Sequence, residues 1–196
     1  DFTNFHSPGC TRTIGSFSNP YATTVSSYYN SDRHVVNTAS AGYDPRTGNR
    51  LRIVPVGESA SVRLGNPSTG SQAESISYTY TVDTNNYDLL FLKYAAVLQD
   101  PGHPQSQQPR LTLEILNTNN QQINPSCTYA NFYASQSLGW NTFGNVVWKD
   151  WTTVGVDLSQ YHGQTIKVRM PTYDCNYSGH YGYAYIILSC GKKSVS

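Results

Sequence analysis

Charge is what this chain of 196 residues has least of. Asp, Glu, Lys and Arg make up 13% of it, about half the usual share for a globular domain. The 13 basic and 12 acidic residues nearly cancel, at a net charge of +1, and no stretch gathers the basic ones into a stripe. That removes the electrostatic footprint of a nucleic-acid binder. No run of about 18 apolar residues is present, so direct membrane insertion by a helix is not expected. No signal peptide is visible, and the start at Asp1 reads as a mature or excised fragment whose export signal or anchor lies elsewhere.

Catalytic signatures are missing too. There is no Gly-x-Ser-x-Gly elbow, no His-Glu-x-x-His, no phosphate loop and no dinucleotide fingerprint. Acids are too few and scattered to nominate the two carboxylates that a glycoside hydrolase places around a scissile bond. The four cysteines, Cys10, Cys127, Cys175 and Cys190, lack the Cys-x-x-Cys pairs of a common zinc site. Their even number in a Tyr- and Asn-rich chain predicts two disulfides, against the alternative of four buried thiols. If Ile166–Met170 and Tyr183–Leu188 form a hairpin, Cys175 sits near its tip and Cys190 near its open end, too far apart to bond. The favoured pairing is then Cys10–Cys190 with Cys127–Cys175.

What is present favours sheets. Tyr alone occurs 16 times, and Ser, Thr and Asn supply most of the polarity, a mixture suited to pleated strands and polar loops. Residues 1–50 are rich in Ser, Thr, Asn, Gly and Pro and read as long loops and short edge strands packed on the rest. Ser59–Leu64 reads as a short strand. Ala73–Val82 puts Ile76, Tyr78, Tyr80 and Val82 on one face and Ser75, Ser77, Thr79 and Thr81 on the other, which is the period of a strand. Asp88–Gln99 is apolar at nearly every position and fits a central strand or a buried helix; its neighbours favour strand. Arg110–Leu116, Thr153–Leu158, Ile166–Met170 and Tyr181–Ser189 continue the series, with one helical turn at Leu158–His162 stopped by Gly163. Roughly eight to ten strands without a repeat or linker predict an all-β, two-sheet β-sandwich in a single domain, 1–196.

Five stretches in order resemble a module of large secreted proteins of Bacteroidota, gliding-associated adhesins among them. They are Ser61-Val-Arg-Leu-Gly-Asn66, Ala96-Val-Leu-Gln-Asp-Pro-Gly-His103, Gln108-Pro-Arg110, Trp148-Lys-Asp-Trp-Thr-Thr-Val-Gly155 and Gly179-His-Tyr-Gly-Tyr-Ala-Tyr185. The resemblance spans about Asp32 to Cys190. It implies a jelly roll similar to carbohydrate-binding modules, secreted or displayed at the cell surface in association with the outer membrane, as a monomeric part of a larger protein. Relatives often carry an acidic residue where this chain has Ile187. If that acid serves a structural calcium, this copy lacks a ligand.

Two loops carry candidate chemistry. Gln99-Asp-Pro-Gly-His-Pro104 must turn at the end of the most apolar strand, setting Asp100 beside His103. Asp174-Cys-Asn-Tyr-Ser-Gly-His180 offers a second acid and a second His. At one end of the sandwich, Asp100, His103, Asp174 and His180 would suit a metal ion such as zinc or calcium; equally, each would satisfy loop backbone, with Arg110 pairing an acid. Sugar rings need an aromatic platform with polar groups at its rim, for which Trp140, Tyr173, Tyr177 and Tyr181 are the candidates. Trp140 is as well suited to anchoring its loop, and Trp148 and Trp151 read as core or sheet-edge residues. The expected function is a non-catalytic module binding polysaccharide or glycan; the alternative is a protein-binding or spacer domain. A polysaccharide lyase using His103, Arg110, His180 and Tyr181 is the enzymatic rival.

Overall fold

The computed structural model describes residues 3–124, 126, 129–135 and 139–193. Twelve strands are formed among them: β1 (Cys10–Ser16), β2 (Asn19–Val25), β3 (His34–Thr38), β4 (Ala60–Leu64), β5 (Gln72–Thr81), β6 (Leu89–Gln99), β7 (Arg110–Leu116), β8 (Tyr129–Tyr133), β9 (Asn141–Phe143), β10 (Val146–Asp157), β11 (Thr165–Tyr173) and β12 (Gly182–Gly191). They make two six-stranded antiparallel sheets, ordered β2-β1-β5-β11-β7-β8 and β3-β4-β12-β6-β10-β9. No helix among the described residues is long and apolar enough to cross a membrane. The helical turn expected near Leu158 is a 3-10 turn at Ser159–Tyr161, followed by Gly163 at φ 75°.

The period-two pattern translates into the main core. Ile76 and Val82 from one sheet meet Leu90, Leu92, Ala96, Leu98, Ile186 and Leu188 from the other. Strand β6 leaves strand and helix open in the sequence because its C-terminal half is buried on both faces. Its even-numbered residues enter this core, while Ala95 and Val97 join a second cluster with Trp148, Tyr181, Tyr183 and Tyr185 on the outer side of the sheet. That cluster is roofed by Leu51 and Ile53 from the segment between β3 and β4. A strand buried on two faces loses the polar alternation that otherwise marks it.

The N-terminal fifty residues do more than pack on the sandwich. They supply one edge strand of each sheet, β2 and β3, and β1 next to the first of these. A bulge in β10 between Lys149 and Thr152 presents Trp151, whose indole N–H donates to the Arg52 carbonyl at 2.7 Å. The roof is thereby fastened to the sheet.

The hairpin expected between Ile166–Met170 and Tyr183–Leu188 does not form: β11 lies in the first sheet and β12 in the second. The connection through 174–181 is an arch between layers. Gly182 stands where the arch meets the second sheet, and a Cβ there would lie 2.4 Å from the Tyr173 carbonyl oxygen. With the hairpin goes the premise of the cysteine pairing. Cys10, opposite Tyr78 on β1, and Cys190, opposite Leu90 on β12, are free thiols on different sheets. Cys175 is a free thiol as well, and Cys127 lies outside the described residues.

Candidate functional site

Two loops meet at one end of the sandwich, 100–109 after β6 and 174–181 after β11. Each is fixed by an acid spent on local backbone. Asp100 Oδ1 accepts from the Gly102 amide at 3.0 Å and from the Gln108 side-chain amide at 2.7 Å. Asp174 is buried; its Oδ1 accepts from the Gly182 amide at 3.1 Å and its Oδ2 from the Gln72 amide at 2.9 Å. Burial nevertheless raises its carboxyl to about 6. The Asn176 amide donates to the Gln107 carbonyl at 3.1 Å, tying one loop to the other.

The four-residue metal set expected from sequence is therefore only half assembled. His103 and His180 do come together, their ring centroids 5.5 Å apart in an edge-to-face arrangement. The third member is Cys175 in place of either acid, with its Sγ 3.5 Å from His180 Nδ1. The donor atoms of His103, Cys175 and His180 all lie within 4.8 Å of one another. Burial, with His103 adding to it, holds His180 below the ordinary imidazole range. Tyr177 covers the outer side of His103 at 4.9 Å and is itself mostly exposed. Ile187 is buried in β12 opposite Lys93.

The remaining candidates part company. Arg110 is held between Phe17 and Tyr173, its guanidinium 4.6 and 4.8 Å from their ring centroids; this stacking occupies Tyr173. Tyr181 is buried in the second core cluster, stacked on Tyr183. Of the residues a lyase would need, His103 and His180 bring their rings together, while Arg110 is stacked on Phe17 and Tyr173 and the Tyr181 ring on Tyr183. Trp140 is half-buried against the main core, the position of a loop anchor.

A cleft of about 440 Å³ opens beside these loops, lined by Arg46, Gln99, Phe143, Asn145 and one edge of Tyr181. Phe143 is 50% exposed. Its other side rests on Gly48, where the ring would be only 3.0 Å from an added Cβ. Gly48 also sits at φ 66°, a conformation that glycine adopts without steric cost. Arg46 lies 5.7 Å from the Tyr181 ring and makes no ion pair among the described residues. Gln99 Oε1 accepts from the Tyr181 amide at 3.0 Å, and the Asp100 amide donates to the Asn145 carbonyl at 2.9 Å. The cleft and the His–Cys cluster thus share the wall running from Gln99 to Tyr181. Phe143 and Arg46 were not singled out by sequence. The larger Trp140 drew attention three residues away, and Arg46 falls in the loop-rich start of the chain.

No family model matches the chain, and no curated protein does. Solved structures give likenesses of shape. A family 61 carbohydrate-binding module in complex with β-1,4-galactotriose is 8% identical at a TM-score of 0.45, with 96% of this chain and 92% of that one covered. The K1 cleaved adhesin domain of Lys-gingipain from Porphyromonas gingivalis is 11% identical at 0.41, covering 94% and 99%. A Stig cyclase from Fischerella is 13% identical at 0.44, covering 95% and 87%. Likenesses this distant assign no function.

Proposed function

We propose that the protein is a non-catalytic glycan-binding module of a secreted or surface-displayed protein, and that it binds sugar in the cleft between Phe143 and Arg46. The observation that carries the reading is the half-exposed Phe143 ring, set on Gly48 at the mouth of a concave site rimmed by amides and by the Arg46 guanidinium, which has no ion pair among the described residues. A flat apolar ring complements the C–H face of a pyranose, while amide and guanidinium groups complement its hydroxyls or a carboxylate. The volume falls within the range typical of small-ligand clefts. Placement in an exported protein is supported by the five sequence stretches described above.

The test is a glycan array probed with the wild-type protein and with Phe143→Ala. Binding to a defined glycan class that is lost in Phe143→Ala supports the reading. Absence of binding to any plant, algal or host glycan overturns it and favours a protein-binding or spacer role. Incubation with uronate polysaccharides, followed by ultraviolet absorbance of new double bonds, tests catalysis; a rise in absorbance would replace binding module with lyase.

A further inference from the structure

We propose that His103, Cys175 and His180 form a His2Cys site for a zinc ion. Two imidazoles and one thiolate are a borderline-soft donor set of the kind zinc takes, whereas calcium demands oxygen donors. The oxygens of Asp174 are engaged by backbone amides, and Asp100 Oδ1 holds its own loop.

Geometry fits the assignment. With Zn–S of about 2.3 Å and Zn–N of about 2.1 Å, tetrahedral donors stand roughly 3.4–3.6 Å apart. The Cys175 Sγ to His180 Nδ1 separation is already 3.5 Å. The remaining separations, none above 4.8 Å, need about one ångström of side-chain adjustment to reach that spacing. His103 Nε2 is buried without a hydrogen-bond partner, a state that costs free energy unless another group fills it. Cys175 is wholly buried, yet its sulfur faces two imidazoles instead of an apolar lining.

Both loops are set before any ion arrives. The Cys175 amide donates to the His180 carbonyl at 2.9 Å, closing the arch on itself. The bonds of Asp100 and Asp174 hold the two backbones, so little ordering is left for binding to impose. Zinc uptake converts the Cys175 thiol to thiolate and releases its proton to solvent. Three protein donors leave a fourth position for water.

The experiment uses the full chain, reduced with a phosphine and stripped with a chelator, then titrated with cobalt(II) as an optical stand-in for zinc. One equivalent should bring up a near-ultraviolet thiolate-to-cobalt charge-transfer band together with the intense visible bands of a tetrahedral ion. Zinc should displace both, and elemental analysis should find one zinc per chain. Cys175→Ser should abolish the charge-transfer band. His103→Gln, a change on a surface loop whose intact fold is checked by circular dichroism, should weaken cobalt binding by at least about tenfold. No charge-transfer band in the reduced wild type overturns the assignment, as does a band that persists in Cys175→Ser.

Discussion

The buried carboxylate of Asp44 accepts a hydrogen bond from the Tyr183 hydroxyl at 2.8 Å. The same oxygen accepts from Tyr185 at 2.8 Å, and Oδ1 caps the Arg46 amide at 2.7 Å. The Asp44 carbonyl takes the Thr47 hydroxyl at 2.8 Å and the Asn49 amide at 3.1 Å. One residue therefore shapes the turn carrying both Arg46 and Gly48, the two residues that set the cleft. Asp44→Ala leaves two buried phenols unpaired and releases the turn, so a loss of about 3 kcal/mol is expected in urea unfolding. The glycan signal should fall together with stability in this variant. Tyr185→Phe removes one of the two phenol bonds to Asp44 and should cost about 1 kcal/mol while the signal stays.

Strands were legible in the sequence wherever one face was polar. In β5 and β7 the alternation survives because their outer faces carry Ser, Thr, Glu and Arg. Strand β6 was ambiguous for a physical reason, since the roof over the second sheet removes its polar face. The arch after β11 was misread because two alternating segments joined by a turn-rich loop describe a hairpin and a crossing between sheets equally well. The even cysteine count placed Cys175 in a disulfide, the hairpin reading chose its partner, and the acids on the same two loops were left as the partners of the two histidines. His103 and His180 could be found from local sequence, each on a Gly-bearing turn. The neighbourhood of Cys175 depends on the packing of two loops more than seventy residues apart, which periodicity does not encode.

Glu74 gives stability a pH dependence with a definite sign. Its carboxyl is buried, 2.5 Å from Arg33 Nε, with Thr172 donating at 3.4 Å and Asp174 nearby. Burial outweighs the pull of Arg33 and pushes it from 4.5 up to about 7. The fold thus favours the protonated acid. Its contribution is complete below pH 4.5 and is lost as pH rises through 7. His34, lowered to about 4 by burial, works in the opposite direction as pH falls from 6.5, so the comparison has to be made against a variant. Between pH 5 and 8 the wild type should lose about 3 kcal/mol more than Glu74→Gln in urea unfolding. Arg33 keeps its bonds to the Gly15 and Ala73 carbonyls in that variant. Parallel pH profiles for the two proteins would refute the sign.

Free thiols at Cys10 and Cys190 are checked by alkylation without prior reduction. Cys190 is exposed and Cys10 half-buried, and burial raises both thiols. Maleimide should label Cys190 first and Cys10 more slowly, and adding reductant beforehand should leave the labelled mass unchanged. Labels at these two positions that appear only after reduction would restore the Cys10–Cys190 disulfide in place of the free thiols.

The last prediction concerns the curvature of the first sheet. Tyr21 on β2 donates to Glu114 Oε2 on β7 at 3.3 Å, although four strand steps separate them, about 19 Å in a flat sheet. Arg169 bridges the two, its guanidinium 4.0 Å from the Tyr21 ring centroid and its Nε 2.6 Å from the same carboxylate oxygen. The outer face is consequently concave, with a groove of about 490 Å³ walled by Thr11, Tyr21, Ser77, Lys167 and Arg169. If the cation–π contact helps to hold that curl, a double-mutant cycle of Tyr21→Leu and Arg169→Met should return a coupling of about 1–2 kcal/mol. The bulge that shifts the β1–β2 register between Ile14 and Ser16 offers another cause, because bulges sharpen the local twist of a strand. A coupling near zero would assign the curl to the bulge, and a coupling of the predicted size would assign it to Tyr21 and Arg169 acting together across the face.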